Sequence, residues 1–168
     1  MDLNPYARFL ENRSVDAVLS TTPGTLAELA DSLGPARLAA APAPGKWSPA
    51  QIFAHLADCE LAFGYRLRQT LAQDPAKYPA EAAHVIQPFD QDRWAAHYDV
   101  ISAHQALAAF TALREWNLIL IRNAPVHAAS IPVTHPERGA MTFQTIIETM
   151  AGHDVNHLQQ LQKLASSK

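Results

Sequence analysis

The sequence has only one cysteine, Cys59, among its 168 residues, and this scarcity excludes an internal disulfide. Charged residues are also scarce, at 17%, and the formal net charge is −3. Lysines and arginines form no cluster of the kind that phosphate binding relies on, which argues against a nucleic-acid partner. No apolar run approaches the roughly 18–20 residues of a membrane span, so no membrane partner is expected either.

The first residues, Met1 to Asn4, lack the basic and apolar regions of a signal peptide. With the single cysteine, this favours a cytoplasmic location. Apolar residues make up 48% of the chain, which is enough to predict folding rather than disorder. The length suits one compact core. We therefore predict a single domain over residues 1–168.

Helix signals dominate the chain. Ser48, Pro49 and Gln51 have the pattern of a capping box with proline in the first turn. Ser102 and Gln105 repeat this box before another apolar stretch. Thr22-Pro23 and Thr142 are predicted to begin further helices, although Thr145 is a poor substitute for the glutamate of a box. Four long helices are predicted, over about 22–33, 49–72, 102–123 and 142–165, with short helical pieces after Asn4-Pro5 and over about 92–98.

The connections between these helices contain most of the remaining prolines. Residues 39–46, 74–90 and 125–139 are predicted as loops. No segment alternates between apolar and polar residues over enough positions to predict a strand. The sequence therefore predicts an all-α fold, a four-helix bundle.

His153 and His157 are the most informative residues of the chain. They lie four positions apart in the last predicted helix, so both imidazoles face the same side, about 5–6 Å apart at Cβ. His157 falls on the apolar stripe of that helix and His153 at its edge. Because an unpaired buried imidazole is costly, both need a partner, and one metal ion would serve both. Asp154 stands where the zincin pattern has its glutamate base, so a metalloprotease is not indicated.

His55 adds a third imidazole on a second helix. It lies beside Ile52 and Cys59 on the apolar stripe of the helix predicted over 49–72. Three inward imidazoles fit a three-histidine site with open positions, whereas closed structural zinc sites use four protein ligands. Imidazole suits zinc, nickel, copper or iron, and ligand type alone does not choose among them.

Together with these histidines, several motifs along the chain resemble the DinB/YfiT-like family of metalloenzymes. The resemblance rests on PAPGKWSP at 42–49, HLADCE at 55–60, FDQDRW at 89–94, ALR at 112–114 and GHDVNHLQQ at 152–160. It implies an up-down-down-up order of the four helices and a divalent metal on His55, His153 and His157, and we predict that this metal is zinc or nickel. It also implies a small-molecule substrate and a thiol-dependent transferase, an isomerase or a hydrolase activity.

Other polar residues are candidates for supporting roles. Gln160, one turn beyond His157, and Asp58 could orient ligand imidazoles, as could Glu60 and Asp154, although carboxylates on helices are most often solvated. Cys59 could be a fourth ligand, but packing as a small hydrophobe is the commoner role. The remaining histidines are expected in loops or on the surface: His84, His97, His104, His127 and His135.

Arg114 is open to two interpretations. In register with Phe110 and Ile121 it would face inward, where it could contact a substrate carboxylate or carbonyl. A stripe through Leu113 and Trp116 would instead turn it to solvent. The sequence does not choose between these orientations.

The functional hypothesis is a metal-dependent enzyme. A metal can polarise a carbonyl or lower the pKa of a bound water or thiol. Because no glutamate base follows His153, transfer of a low-molecular-weight thiol ranks ahead of hydrolysis. A non-catalytic metal- or ligand-binding stress-response module and a metal-free structural bundle are the alternatives. A two-fold homodimer through helix faces is the expected assembly.

Overall fold

Four long helices form the bundle that the sequence predicts. The computed structural model describes residues 4–73 and 83–166. The helices in these residues are α1 Ala7–Leu10, α2 Val15–Ala39, α3 Pro49–Leu71, α4 Gln91–Ala95, α5 Ala103–Arg122 and α6 Phe143–Ser166. The long helices α2, α3, α5 and α6 follow the predicted up-down-down-up order. None of the described helices is long and apolar enough to cross a membrane.

The predicted helix starts at Ser48 and Ser102 are confirmed by reciprocal hydrogen bonds. The Gln51 N–H donates to Ser48 Oγ over 3.3 Å, and the Ser48 N–H donates to Gln51 Oε1 over 2.8 Å. Ser102 and Gln105 form the same pair of bonds. At the start of α6, Thr142 and Thr145 each accept the other's backbone N–H, so a threonine hydroxyl performs the role of the absent glutamate.

The predicted start of α2 at Thr22-Pro23 is wrong. The helix begins at Val15 behind the N-cap Ser14, and Pro23 lies in its interior. Proline has no N–H to donate to the carbonyl four residues earlier, which normally disfavours this position. Here that carbonyl belongs to Leu19, and it accepts a hydrogen bond from Arg114 Nη1 over 2.9 Å. A side chain from α5 therefore replaces the missing helical bond. The predicted stop at Gly34 is a kink with positive φ, beyond which the helix continues.

The expectation of no strands is also wrong. Three short strands, β1 His84–Val85, β2 Pro132–His135 and β3 Gly139–Thr142, form a small sheet in the order β1-β2-β3. β2 and β3 are an antiparallel hairpin, and β1 pairs with β2 in parallel. Strands of two to four residues are too short to show an alternating pattern, so this part of the chain looked like a loop. The sheet also buries His135, which was expected at the surface.

The apolar core lies between the long helices in two clusters. One includes Phe63, Leu67 and Met150, and the other includes Phe53, Leu56 and Phe110. α3 packs along α5, and α2 packs along α6. The short helix α1 lies against α6, which places the N-terminal segment next to the paired histidines of that helix.

Candidate metal centre

The structure brings the three predicted ligands together. His55 comes from α3, and His153 and His157 come from successive turns of α6. The Nε2 atom of His153 lies 3.0 Å from Nε2 of His55 and 3.1 Å from Nε2 of His157. All three imidazoles are buried, and their candidate ligand atoms lie within 4.8 Å of one another.

Burial keeps these imidazoles in the form that binds metal. Desolvation, with the nearby charge of His157, lowers the pKa of His55 to about 3. Desolvation also lowers the pKa of His157 to about 4, partly opposed by its contact with Gln160. The pKa of His153 is held well below its usual value by the same cause and by its two neighbouring imidazoles. All three side chains are therefore neutral near pH 7, with lone pairs available for a cation.

Hydrogen bonds alone cannot satisfy this arrangement. The Nε2 atom of His153 carries either one proton or one lone pair, yet it faces two other nitrogens at hydrogen-bond distance. Its Nδ1 atom is buried and has no hydrogen-bond partner among the described residues. Nitrogen ligands bound at about 2.0–2.1 Å in tetrahedral geometry are about 3.3–3.4 Å apart, which is close to the observed spacing. The donor set therefore fits one divalent ion shared by three imidazoles.

A family comparison agrees with this geometry. The family model of the DinB superfamily matches residues 19–161, which include all three histidines. The chain belongs to the DinB superfamily.

Individual proteins are also similar to this DinB chain. A protein of Oceanobacillus iheyensis, named as a candidate metal-dependent hydrolase, is 26% identical over 125 residues, which cover 74% of this chain and 68% of that protein. The solved structure of YfiT from Bacillus subtilis matches with a TM-score of 0.76 at 19% identity, over 88% of this chain and 82% of that one. YfiT is described as a probable metal-dependent hydrolase with an unusual four-helix bundle topology. At this identity the structural match shows the fold.

Aromatic rings surround the histidines of this DinB chain. The ring of Trp47 lies 4.9 Å from that of His55, and Tyr6 presents its ring to His153 at 5.0 Å in a T-shaped arrangement. Gln160 Oε1 lies 3.1 Å from His157 Nδ1. Gln160 therefore lies where it can orient the His157 imidazole, the role considered for it from the sequence. An acceptor at Nδ1 fixes the proton there and directs the Nε2 lone pair toward the other imidazoles.

Cys59 lies beside the centre. Its Sγ atom is 3.5 Å from His55 Nε2 and 4.0 Å from His153 Nε2. Burial and the nearby carboxylates of Glu60 and Asp154 raise the pKa of this thiol well above its usual value. Without a bound cation it is therefore a neutral thiol that packs in the apolar core.

Arg114 faces inward, but its guanidinium contacts carboxylates of the protein instead of an open site. Its side chain has no measurable exposure, and Nη1 and Nη2 donate to the two oxygens of Asp154 over 2.7 and 3.1 Å. Nη2 also donates to Glu60 Oε1 over 2.7 Å. With the bond to Leu19, this arginine joins α2, α3, α5 and α6. The predicted contact between Arg114 and substrate therefore has no support in the geometry.

The remaining polar candidates support this buried network or lie away from the histidines. Asn117 donates to the carboxylate and the backbone carbonyl of Glu60. Asp58 accepts the hydroxyl proton of Tyr98 over 2.9 Å, and none of its described bonds reaches a ligand imidazole. The expectation that Glu60 is solvated fails because Glu60 shares the heptad stripe of Phe53, Leu56 and Phe63. That spacing is the signal that could have revealed its burial.

Proposed function

We propose that this chain is a metal-dependent hydrolase that holds one divalent ion, zinc or nickel, on His55, His153 and His157. The observation that carries the proposal is the convergence of three buried, neutral Nε2 atoms. The names given to the Oceanobacillus relative and to YfiT support the same class of reaction. Three neutral ligands leave the ion its full charge, which supplies Lewis-acid activation of a substrate or nucleophile.

The protein supplies the geometry and the polarity of the site. Gln160 orients His157, and the aromatic rings of Tyr6 and Trp47 exclude water from the flanks of the centre. Both oxygens of Asp154 are engaged by Arg114, so the carboxylate next to His153 is not available as a general base. The substrate is expected to be a small molecule, since the histidines are almost completely buried.

This shortage of bases favours a second candidate, transfer of a low-molecular-weight thiol to an electrophile. A thiol ionises near neutral pH more easily than water does, so it needs less help from a general base. The two candidates share the metal centre and differ in the nucleophile.

Metal analysis tests the centre on which both candidates depend. Protein purified without chelator should contain one divalent ion per chain. His55→Ala, His153→Ala and His157→Ala should each lose it, because each change removes a ligand, while His84→Ala and His127→Ala should retain it. Wild-type protein that cannot be loaded with zinc or nickel would refute the proposal.

Turnover then separates the candidate functions. A panel of activated esters and electrophiles would be assayed with and without low-molecular-weight thiols, using metal-loaded wild type, His157→Ala and the exposed control His127→Ala. Ester cleavage that requires metal and ignores thiol supports hydrolysis. Metal-dependent consumption of thiol supports the transferase. Metal binding without turnover on any substrate would favour a non-catalytic binding module.

A further inference from the structure

Two arginines lie near the metal centre without a described carboxylate partner. Arg66 is on α3, three helical turns after His55, and its guanidinium carbon lies 5.7 Å from the centroid of the Phe63 ring. The Phe63 ring in turn lies 6.2 Å from that of His153. These two distances place the Arg66 guanidinium at most about 12 Å from the His153 ring.

Arg138 approaches the same region from the turn between β2 and β3. Burial lowers the pKa of Arg66 and of His135, and the charge of Arg138 adds to both shifts. Burial raises the pKa of Tyr6, and the charge of Arg138 opposes that rise. Tyr6 is the residue whose ring contacts His153. Arg138 therefore lies within electrostatic range both of Arg66 and of a side chain on the wall of the centre.

Both arginines are partly buried. Hydrogen bonds place both at the small sheet. Arg66 Nη2 donates to the Gln87 carbonyl just after β1, and the Ile86 N–H of the same segment donates to the Thr134 carbonyl of β2. The Arg138 N–H donates to the carbonyl of His135, the last residue of β2.

Arg66 and Arg138 differ from Arg114 and Arg122 in their hydrogen-bond partners. Arg114 and Arg122 each pair with a carboxylate. Within residues 4–73 and 83–166, Arg66 instead donates to the backbone carbonyl of Gln87 over 3.1 Å, and neither Arg66 nor Arg138 forms an ion pair. The acidic neighbour Glu137 is exposed, and its charge acts on His135. Two partly buried like charges repel each other, and an anion placed between them would relieve that repulsion.

We propose that Arg66 and Arg138 bind a carboxylate of the substrate, at a subsite next to the histidine centre. The inference rests on the proposed function, because it assigns the substrate of that centre to the class of small organic acids. The bound of about 12 Å between the Arg66 guanidinium and the His153 ring is short enough for one small molecule to reach both. Arginine suits this role because its planar fork matches the two oxygens of a carboxylate.

The test compares glutarate with its monoamide as ligands of zinc-loaded protein, by isothermal titration calorimetry. Both probes carry one carboxylate that can contact the metal, and they differ only in the charge at the other end. Wild type should bind glutarate at least about tenfold more tightly, as expected for a charge-assisted hydrogen bond. Arg66→Gln and Arg138→Gln should each reduce this preference severalfold. The preference should also weaken as salt is added.

Arg93→Gln is the matched control, because Arg93 is an exposed arginine that pairs with Asp90 away from the histidines. This control should keep the wild-type preference. Equal binding of the two probes by wild type, or a preference that survives in both Arg66→Gln and Arg138→Gln, would overturn the subsite. Ester hydrolysis measured on the same preparations separates the two proposals. An intact glutarate preference without hydrolysis counts against the proposed function, and hydrolysis with no preference counts against the subsite alone.

Discussion

Replacing Arg114 with methionine should destabilise the protein more than any exposed arginine replacement. The side chain volumes are similar, so the change removes charge and hydrogen bonds with little loss of packing. The variant loses four hydrogen bonds, to Asp154, Glu60 and the Leu19 carbonyl. It also leaves two carboxylates, each with no more than 3% of the side chain exposed, without their cation.

The expected cost follows from this burial. Removing one partner of a buried ion pair costs about 3–5 kcal/mol, mostly because the remaining charge is left without compensation. For a domain of this size, each kcal/mol lowers the melting temperature by roughly 2–4 °C. Arg114→Met should therefore melt roughly 6–20 °C below wild type.

Thermal and urea denaturation, followed by circular dichroism, would measure this effect. Arg122→Met is the control, because Arg122 pairs with Asp16 at the surface and its loss should change the melting temperature little. Adding Glu60→Gln and Asp154→Asn to Arg114→Met should recover part of the loss, since the uncompensated charges are then gone. A melting temperature for Arg114→Met equal to that of the control would refute the reasoning.

Three further changes test other parts of the structure. Metal-free protein should lose stability as the pH falls from 6.5 towards 4: the folded pKa values of His55 and His157 are about 3 and about 4, so the unfolded chain binds more protons. Each pH unit costs up to about 1.4 kcal/mol for each imidazole that stays neutral, and equal unfolding free energies at pH 7 and 5 would contradict this. Gly152→Ala should lower the free energy of unfolding by about 1–3 kcal/mol, because the new Cβ would lie 2.6 Å from the Tyr6 carbonyl oxygen. Gly24→Ala is the control: a Cβ there meets nothing within 4 Å, so this change should be neutral or stabilising in the same melting assay. The predicted homodimer should bury the exposed apolar Trp116 and Ile119 on α5, so light scattering should show a dimer for wild type and a monomer for Trp116→Glu; a monomeric wild type would reject it.

The bundle was predictable because its determinants are local. The capping boxes at Ser48 and Ser102 involve residues three positions apart, and the structure confirms both. The start of α2 was not predictable in the same way. Whether Pro23 ends a helix or lies within one depends on a donor for the Leu19 carbonyl, and that donor is Arg114 on a distant helix. The small sheet escaped prediction because its strands have only two to four residues, and because β1 pairs with a β2 strand that is far away in sequence.

The histidine cluster could be predicted from local sequence patterns, whereas the buried ion network around Arg114 could not. The spacing of His153 and His157 on one helix is a moderately specific sign of a shared metal ion. The apolar stripe of α3 then adds His55 as a third inward imidazole. For Arg114, two periodic stripes on α5 were equally consistent with the sequence. Its orientation was decided by Glu60 and Asp154 on other helices, since an arginine is stable in the core only where carboxylates meet it.

The histidine cluster and the Arg114 network are built from neighbouring residues of α3 and α6. Cys59 and Glu60 are neighbours on α3, and His153 and Asp154 are neighbours on α6. Adjacent helical residues point about 100° apart, so each helix presents one side chain to the histidine centre and the next to Arg114. Arg114 therefore holds α3 and α6 together beside the imidazoles, whether or not a cation is bound. The Nε2 atoms of the three histidines lie close together in a frame that Arg114 braces, so a divalent ion bound there would lose little of its binding free energy to ordering the helices.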